Sequence, residues 1–350
     1  MAVADEVFAI RNSVAVSRPD HVRFVRVTGP GAAAALDAIM PAELYVRDGQ
    51  ILQSLLLDES GRVVADAYVG CDDDAFFLLV DGLTARELAD YLDRHLPPDS
   101  GVEVEDRSET HGLIGIDGPY AWELLALLAG PDVFGLPYLT FFHLDRWTCF
   151  RAGKTGEYGY GLLAPREDRD ELHARLLELG RPLDARPAGI DAFDECALEN
   201  WFFNPRREGR ENLTPVELQL QWRVSYRKRF VGSDALRAHR EEPARRRTAC
   251  LVSEQALATG DSVSWNGATV GRVLNAGASS TRGDWVALTL MDAGYAHPGI
   301  AGFRVENDRG SATARSETPP LINNRSLHVS PQIHSYGERG EFQFPPLRRR

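Results

Sequence analysis

The sequence predicts an α+β fold built from two similar halves, followed by a small all-β unit. Two observations carry this. A strand, a Gly-Pro turn and a helix occur at residues 22–37 and again at 111–128, and the copies share a G-P-x-A-x-x-x-L core (VTGPGAAAALDAI and IDGPYAWELLALL). From residue 248 onward, short strand-like runs alternate with glycine turns, which is the grammar of a small barrel or sandwich. At 350 residues the chain is long enough for two or three such units.

The elements follow in order. VRFVRV at 22–27 reads as a strand, and the proline after the turn glycine suits a helix start, where its missing N–H is not needed. Residues 51–57, 63–70 and 75–80 form a meander, separated by the turn Asp58-Glu59-Ser60-Gly61 and the acidic turn Asp72-Asp73-Asp74. Leu88, Leu92 and Leu96 recur every four residues, so 84–96 is a helix, stopped by Pro97-Pro98. The second Gly-Pro unit leads to an aromatic strand at 141–150, a glycine-rich run at 151–161 and a helix at 166–179. Residues 191–203 read as an apolar helix, and 204–214 as a polar, exposed loop. Strands at 249–252, 262–265, 269–273 and 285–290 belong to the all-β unit. These elements divide the chain into 1–110, 111–240 and 248–322, with the last boundary near 238–247. A Ser-, Pro- and Arg-rich tail, 323–350, is expected to be extended or disordered.

Composition removes several functions. Lys and Arg number 39 against 51 Asp and Glu, a net charge of −12, which argues against a general binder of nucleic acid or anionic membranes. No apolar run approaches the ~20 residues that span a bilayer. The four cysteines and nine histidines are dispersed, without C-x-x-C or H-E-x-x-H, so metal ligation has no sequence support. Scattered thiols without a signal peptide predict a reducing cytoplasm. Gly29-Pro30-Gly31 lacks the G-x-G-x-x-G pattern, and Pro30 removes a phosphate-binding N–H, so a dinucleotide cofactor is not expected.

The most informative stretch is Arg151-Ala152-Gly153-Lys154-Thr155-Gly156-Glu157-Tyr158-Gly159-Tyr160-Gly161. Each glycine in a strand or helix interior costs ~0.5–1 kcal/mol relative to alanine. The run therefore reads as a loop at the mouth of the fold, either a plain hairpin or backbone lying close against a ligand. Three further motifs accompany it: Gly61-Arg62-Val63-Val64-Ala65-Asp66, then Pro187-Ala188-Gly189-Ile190 leading to Ala197-Leu198-Glu199, then Thr214-Pro215-Val216-Glu217 with Trp222 and Lys228-Arg229-Phe230-Val231-Gly232.

In this order the motifs resemble the aminomethyltransferase family, the T-protein of the glycine cleavage system and its folate-dependent methyltransferase and demethylase relatives. The resemblance runs from about residue 8 to about residue 320. It implies two ferredoxin-like halves in a ring around a central channel, closed by a C-terminal β-barrel, with tetrahydrofolate as one-carbon carrier and a small molecule as substrate. The family's catalytic aspartate falls on Asp66, while the acid before it is Ala65 here. A carboxylate there can orient or deprotonate a ring nitrogen, or offset positive charge on the carbon in transfer. Burial beside Val64 and Tyr68 is expected to raise its pKa. The alternative is a strand-edge acid facing water.

Folate contacts carried over from the family are altered. The glutamate closing the T-G-E-x-G-[FY]-E loop becomes Gly161, the arginine of G-x-x-A-R-D becomes Phe193, and the R-L-E motif keeps Glu199 but has Ala197 for its arginine. A lost charge-assisted hydrogen bond is worth ~1.5–3 kcal/mol. The clamp on the pterin then falls to Glu157, Asp81 or Glu199, with Tyr160 as a pocket wall. Asp81 stands where the family has a folate-contacting asparagine, though it could equally cap the helix at 84–96. Tyr160 could be plain core, and Glu199 a satisfied helix-face acid. The cysteine motif of the family's iron–sulfur repair branch is absent, since 206–217 holds no cysteine. Three functions remain open: a tetrahydrofolate-dependent one-carbon transferase or demethylase, a folate-independent enzyme of specialised metabolism using Asp66 as acid or base, and a non-catalytic binder of a folate-like ligand.

Overall fold

The structure is a computed structural model that describes residues 2–98, 100–240, 244–307 and 310–348. Residues 241–243, within the expected boundary, and Arg349 and Arg350 of the tail lie outside the described residues. Along the chain come α1 (Val3–Asn12), β1 (Ala15–Ser17), β2 (Arg23–Thr28), α2 (Ala32–Ile39), β3 (Ile51–Leu57), β4 (Val63–Asp72), β5 (Ala75–Asp81), α3 (Ala85–His95) and β6 (Glu103–Asp106). Then follow β7 (His111–Asp117), α4 (Ala121–Ala129), β8 (Phe141–Leu144), β9 (Trp147–Phe150), β10 (Gly159–Pro165), α5 (Arg166–Leu179), β11 (Arg186–Ala188), α6 (Ile190–Asn200) and α7 (Ser233–Arg240). The last unit holds β12 (Arg246–Ser253), β13 (Ser262–Trp265), β14 (Ala268–Ser279), β15 (Asp284–Asp292), β16 (Ala301–Asn307) and β17 (Gly310–Glu317).

The fold is α+β, as expected. One sheet has the order β3-β4-β5-β2-β6, a second β11-β1-β7-β10-β9-β8, and β12 to β17 close into a six-stranded barrel. Each open sheet is covered on one face by helices. Leu36, Ile39, Leu88 and Leu92 of α2 and α3 pack on Val25, Val27, Leu78 and Val80. Leu124, Leu125, Leu172 and Leu176 of α4 and α5 pack on Ile114, Ile116 and Leu162. The uncovered faces meet through Phe24, Phe77, Leu79, Leu113, Phe141, Phe150 and Leu163, with the Phe77 and Phe141 rings 5.0 Å apart. The Gly-Pro repeat is real in three dimensions: Gly29 (φ 105°) and Gly118 (φ 142°) take the same left-handed turn between a strand and its helix.

Four local differences have physical causes. The run 141–150 is a hairpin, turned at Asp145 in the left-handed region (φ 51°), rather than one strand. The glycine run is only half loop: Gly159 opens β10 opposite β7, and Gly161 lies inside it, between β7 and β9. Gly161 is required there because an added Cβ would sit 2.0 Å from Phe150 Cζ. The first residues cross over, with β1 pairing β7 and β11 in the second sheet. The tail is folded onto the second half, where Val329 and Tyr336 are buried in its core and Glu123 accepts a hydrogen bond from the Tyr336 backbone N–H. Among the described residues no helix is long and apolar enough to cross a membrane.

Candidate active site

Asp66 sits in β4 between Ala65 and Ala67, opposite Leu55 of β3 and opposite Asp81 of β5. Two carboxylates directly across a ladder repel, unless a cation joins them. Lys154, from the glycine loop, supplies it: Nζ lies 2.6 Å from Asp66 Oδ2 and 3.6 Å from Asp81 Oδ2. Arg223 Nη1 donates to Asp66 Oδ1 at 2.7 Å, from a short 3-10 turn whose Trp222 ring lies 4.7 Å from the Arg223 guanidinium carbon. Asp66 is 3 % exposed and lines a cavity of about 190 Å3 between the two sheets.

This surrounding corrects the expected upward pKa shift. Burial pushes the Asp66 carboxyl up, but Lys154 and Arg223 outweigh it and hold the group below the usual carboxylate range. Asp66 is therefore a fixed anion. Its two oxygens each keep a second lone pair for a ligand donor.

The same cavity holds Asp81, Tyr160 and Phe193, so four of the six expected site residues come together. Asp81 does not cap α3. Thr84 does so, in a capping box with Glu87, which frees Asp81 for Lys154, for Arg206 Nε at 3.4 Å and for His21 Nε2 at 3.8 Å. Tyr160 is both cavity wall and core, and burial pushes its phenol up to about 12. Phe193, on the first turns of α6, adds apolar wall beside Leu113 and Phe150.

Glu157 and Glu199 are elsewhere. Both carboxylates are taken up by the buried Arg11, at 3.3 and 2.6 Å. Glu157 also accepts from the Arg325 and Ser326 backbone N–H groups and the Ser326 hydroxyl, while Glu199 accepts from the Ser279 hydroxyl in the barrel. They join segments of the fold and do not line the cavity.

Sequence reading missed several lining residues. Lys154 was visible in the glycine run, but its role depends on the β4–β5 register. The segment 204–214 is not an exposed loop: Asn204, Glu208 and Leu213 are buried, and Asn204 and Arg206 face the cavity. Arg206 Nη2 lies 2.6 Å from Asp194 Oδ1, and the Asn204 side-chain amide donates to the same carboxylate at 2.9 Å. Asp194 follows Phe193 directly, so a guanidinium reaches this spot from the loop where α6 carries none. Three anions, Asp66, Asp81 and Asp194, thus interleave with three cations, Lys154, Arg206 and Arg223. The arrangement suits a neutral or zwitterionic reactant with a flat apolar body.

The cavity of paired charges lies between the two sheets, and no described residue of the barrel strands lines it. The GCVT N-terminal domain family matches residues 1–228. The chain belongs to the aminomethyltransferase family. It is 30% identical over 297 residues to the aminomethyltransferase of Thermotoga sp. (strain RQ2), covering 83% of this chain and 81% of that one. The Frankia alni aminomethyltransferase is also 30% identical, over 331 residues, covering 90% of this chain and 87% of that protein. The fold is shared with the glycine cleavage system aminomethyltransferase T from Bartonella henselae, with a TM-score of 0.82 at 21% identity, covering 93% and 90% of the two chains.

Proposed function

We propose that this enzyme moves a one-carbon unit, at the methyl level, between a small-molecule donor and tetrahydrofolate. The observation that carries the reading is Asp66, an acid held ionised by the buried Arg223 and the half-buried Lys154 at the wall of a mainly apolar cavity. The lining fits a folate. A flat pterin needs apolar faces, which Leu113, Phe150, Tyr160 and Phe193 provide, and its N–H edge needs carboxylate acceptors, which Asp81 and Asp194 provide. When bound, tetrahydrofolate supplies the ring nitrogen that carries the one-carbon unit. Asp66 accepts a hydrogen bond from the reactant and offsets positive charge developing near it, while Lys154 and Arg223 keep it from taking up a proton. The buried, unpaired thiols Cys71, Cys149, Cys196 and Cys250 suit a reducing cytoplasm.

Thermal unfolding with 5-methyl- and 5-formyltetrahydrofolate tests this. Binding at a hundredfold excess over the dissociation constant adds ~2.7 kcal/mol and raises the midpoint. The absence of a shift with either folate defeats the proposal. A second reading, a folate-independent enzyme on the same scaffold, has one observation in its favour: the Phe150 ring fills the space beside Gly161, where the family pattern places a carboxylate. It expects no folate shift, together with a turnover that Asp66→Asn abolishes.

A further inference from the structure

Asp117 ends β7, in register with Ala15 of β1 and Gly159 of β10. Its side chain lines the same cavity as Asp66 but comes from the other sheet, and it is 5 % exposed. Among the described residues its one hydrogen-bond donor is the Thr155 hydroxyl, 3.1 Å from Oδ1, and no lysine, arginine or histidine forms an ion pair with it. Asp66, by contrast, has two cations within 2.7 Å.

The glycine run explains how the group stays accessible. A Cβ at Gly153 or Gly159 would stand 3.2 or 3.0 Å from Asp117 Oδ1, and one at Gly115 would stand 3.4 Å from Oδ2. Three positions without side chains therefore surround this carboxyl group. Gly115 of β7, Gly153 of the loop and Gly159 of β10 approach it as bare backbone, and Asp117 remains part of the cavity lining.

We infer that Asp117 is a second functional carboxyl group of this cavity, present as the neutral acid and donating its proton in a hydrogen bond to an acceptor atom of the bound reactant. The acceptor is a carbonyl oxygen, a ring nitrogen without hydrogen, or a carboxylate oxygen. A buried carboxyl with no cation beside it neutralises rather than carry an uncompensated charge. Burial pushes Asp117 up to about 7. The Thr155 hydroxyl and then Arg11 of α1 pull it back, and Glu157 of the glycine loop pushes it further up. Tyr68 of β4, on the facing sheet, is itself held protonated well above its usual range by burial and by Asp66. Two carboxyls of one cavity, driven to opposite states by their surroundings, divide the work of anion and proton donor.

The role of the reactant's acceptor rests on the folate reading, so the test separates the two. Infrared spectra of the full chain follow the protonated carboxyl C=O band as pH rises. The expectation, read in a Glu208→Gln background so that only one buried acid pushed to about 7 remains, is a band lost through about pH 7 that adding Asp117→Asn removes. Calorimetry with 5-formyltetrahydrofolate runs beside it, from about pH 5.5 to about pH 8.5. Wild-type affinity should fall about tenfold per pH unit above the midpoint. Asp117→Asn should bind with flat affinity, because the amide donates at every pH. Glu208→Gln, which removes the other buried acid pushed to about 7, should keep the wild-type profile. A carboxylate ionised across the whole range overturns the inference whatever the ligand. So do equal pH profiles in wild type and Asp117→Asn when both bind the folate. If the folate binds at no pH while Asp117 titrates as expected, the folate reading falls and the neutral acid stands.

Discussion

Asp66 and Asp117 face one cavity from opposite sheets, and a single substitution at each has a distinct signature. Asp66→Asn should lower turnover by ~10²–10³-fold, the usual cost of removing one group that stabilises developing charge. It also leaves the buried Arg223 without its anion, while Lys154 keeps Asp81, and removing one partner of a buried pair costs ~3–5 kcal/mol. Steady-state assays and urea unfolding report the two effects separately, and undiminished turnover would take Asp66 out of the chemistry. Asp117 predicts a pH dependence of opposite sign to an ordinary paired acid. Its folded pKa is raised from 3.8 to about 7, so the folded state keeps a proton that the unfolded chain has lost. Its contribution therefore weakens stability as pH rises through that window, by roughly 4 kcal/mol at most. Asp117→Asn removes the penalty. Its melting point should gain on wild type between about pH 4 and about pH 7; a constant difference would mean that the carboxyl is ionised throughout.

At the scale of elements, β10 and α3 show what local rules govern. Gly161→Ala forces a methyl into the Phe150 ring and should cost ~1–3 kcal/mol by overpacking. Phe150→Leu in the same chain should recover part of the loss, which differential scanning calorimetry can show. Thr84→Ala breaks the capping box and should cost ~1 kcal/mol, with little effect on turnover, since it lies outside the cavity. The helices were legible because their apolar spacing and caps are local. So were β3, β4 and β5, where hydrophobic runs end at turn residues. The three-residue strands β1 and β11 carry no periodic signal and exist through parallel pairing across the chain, Ala15 with Arg186. Strands β16 and β17 hide behind charged outward-facing positions of the barrel. The site divides in the same way. Asp66 and Asp81 stand in recognisable strand motifs, whereas Arg206 and Arg223 come from irregular segments whose placement only the folded chain determines. Glu157 and Glu199 shared those motifs with the site but turn to Arg11 instead, a choice no spacing in the sequence reveals.

The whole molecule is tied together at Arg11, which is 1 % exposed and raised well above its ordinary pKa by Cys196, Glu199 and Glu157 despite burial. Its guanidinium donates to Thr155 O in the glycine loop, to Glu199 on α6, to Glu157, and to Asn324 Oδ1 in the tail. Through Glu199 and Ser279 the same cluster reaches the barrel. Arg11→Ala should cost ~3–5 kcal/mol, because two carboxylates stay buried without their cation. Hydrogen exchange should then accelerate together at 155–157, 196–200 and 324–326, although these segments are far apart in sequence. Faster exchange confined to α1 would mean that the cluster holds only its own helix. This knot also sets a timetable for synthesis. Residues 11 and 324 stand 313 positions apart, so a nascent chain emerging from the ribosome carries Arg11 long before its last partner exists. The Arg11 contacts to Thr155 and Glu157, next to Lys154 of the cavity, gain their last partner only when the tail has been translated and docked.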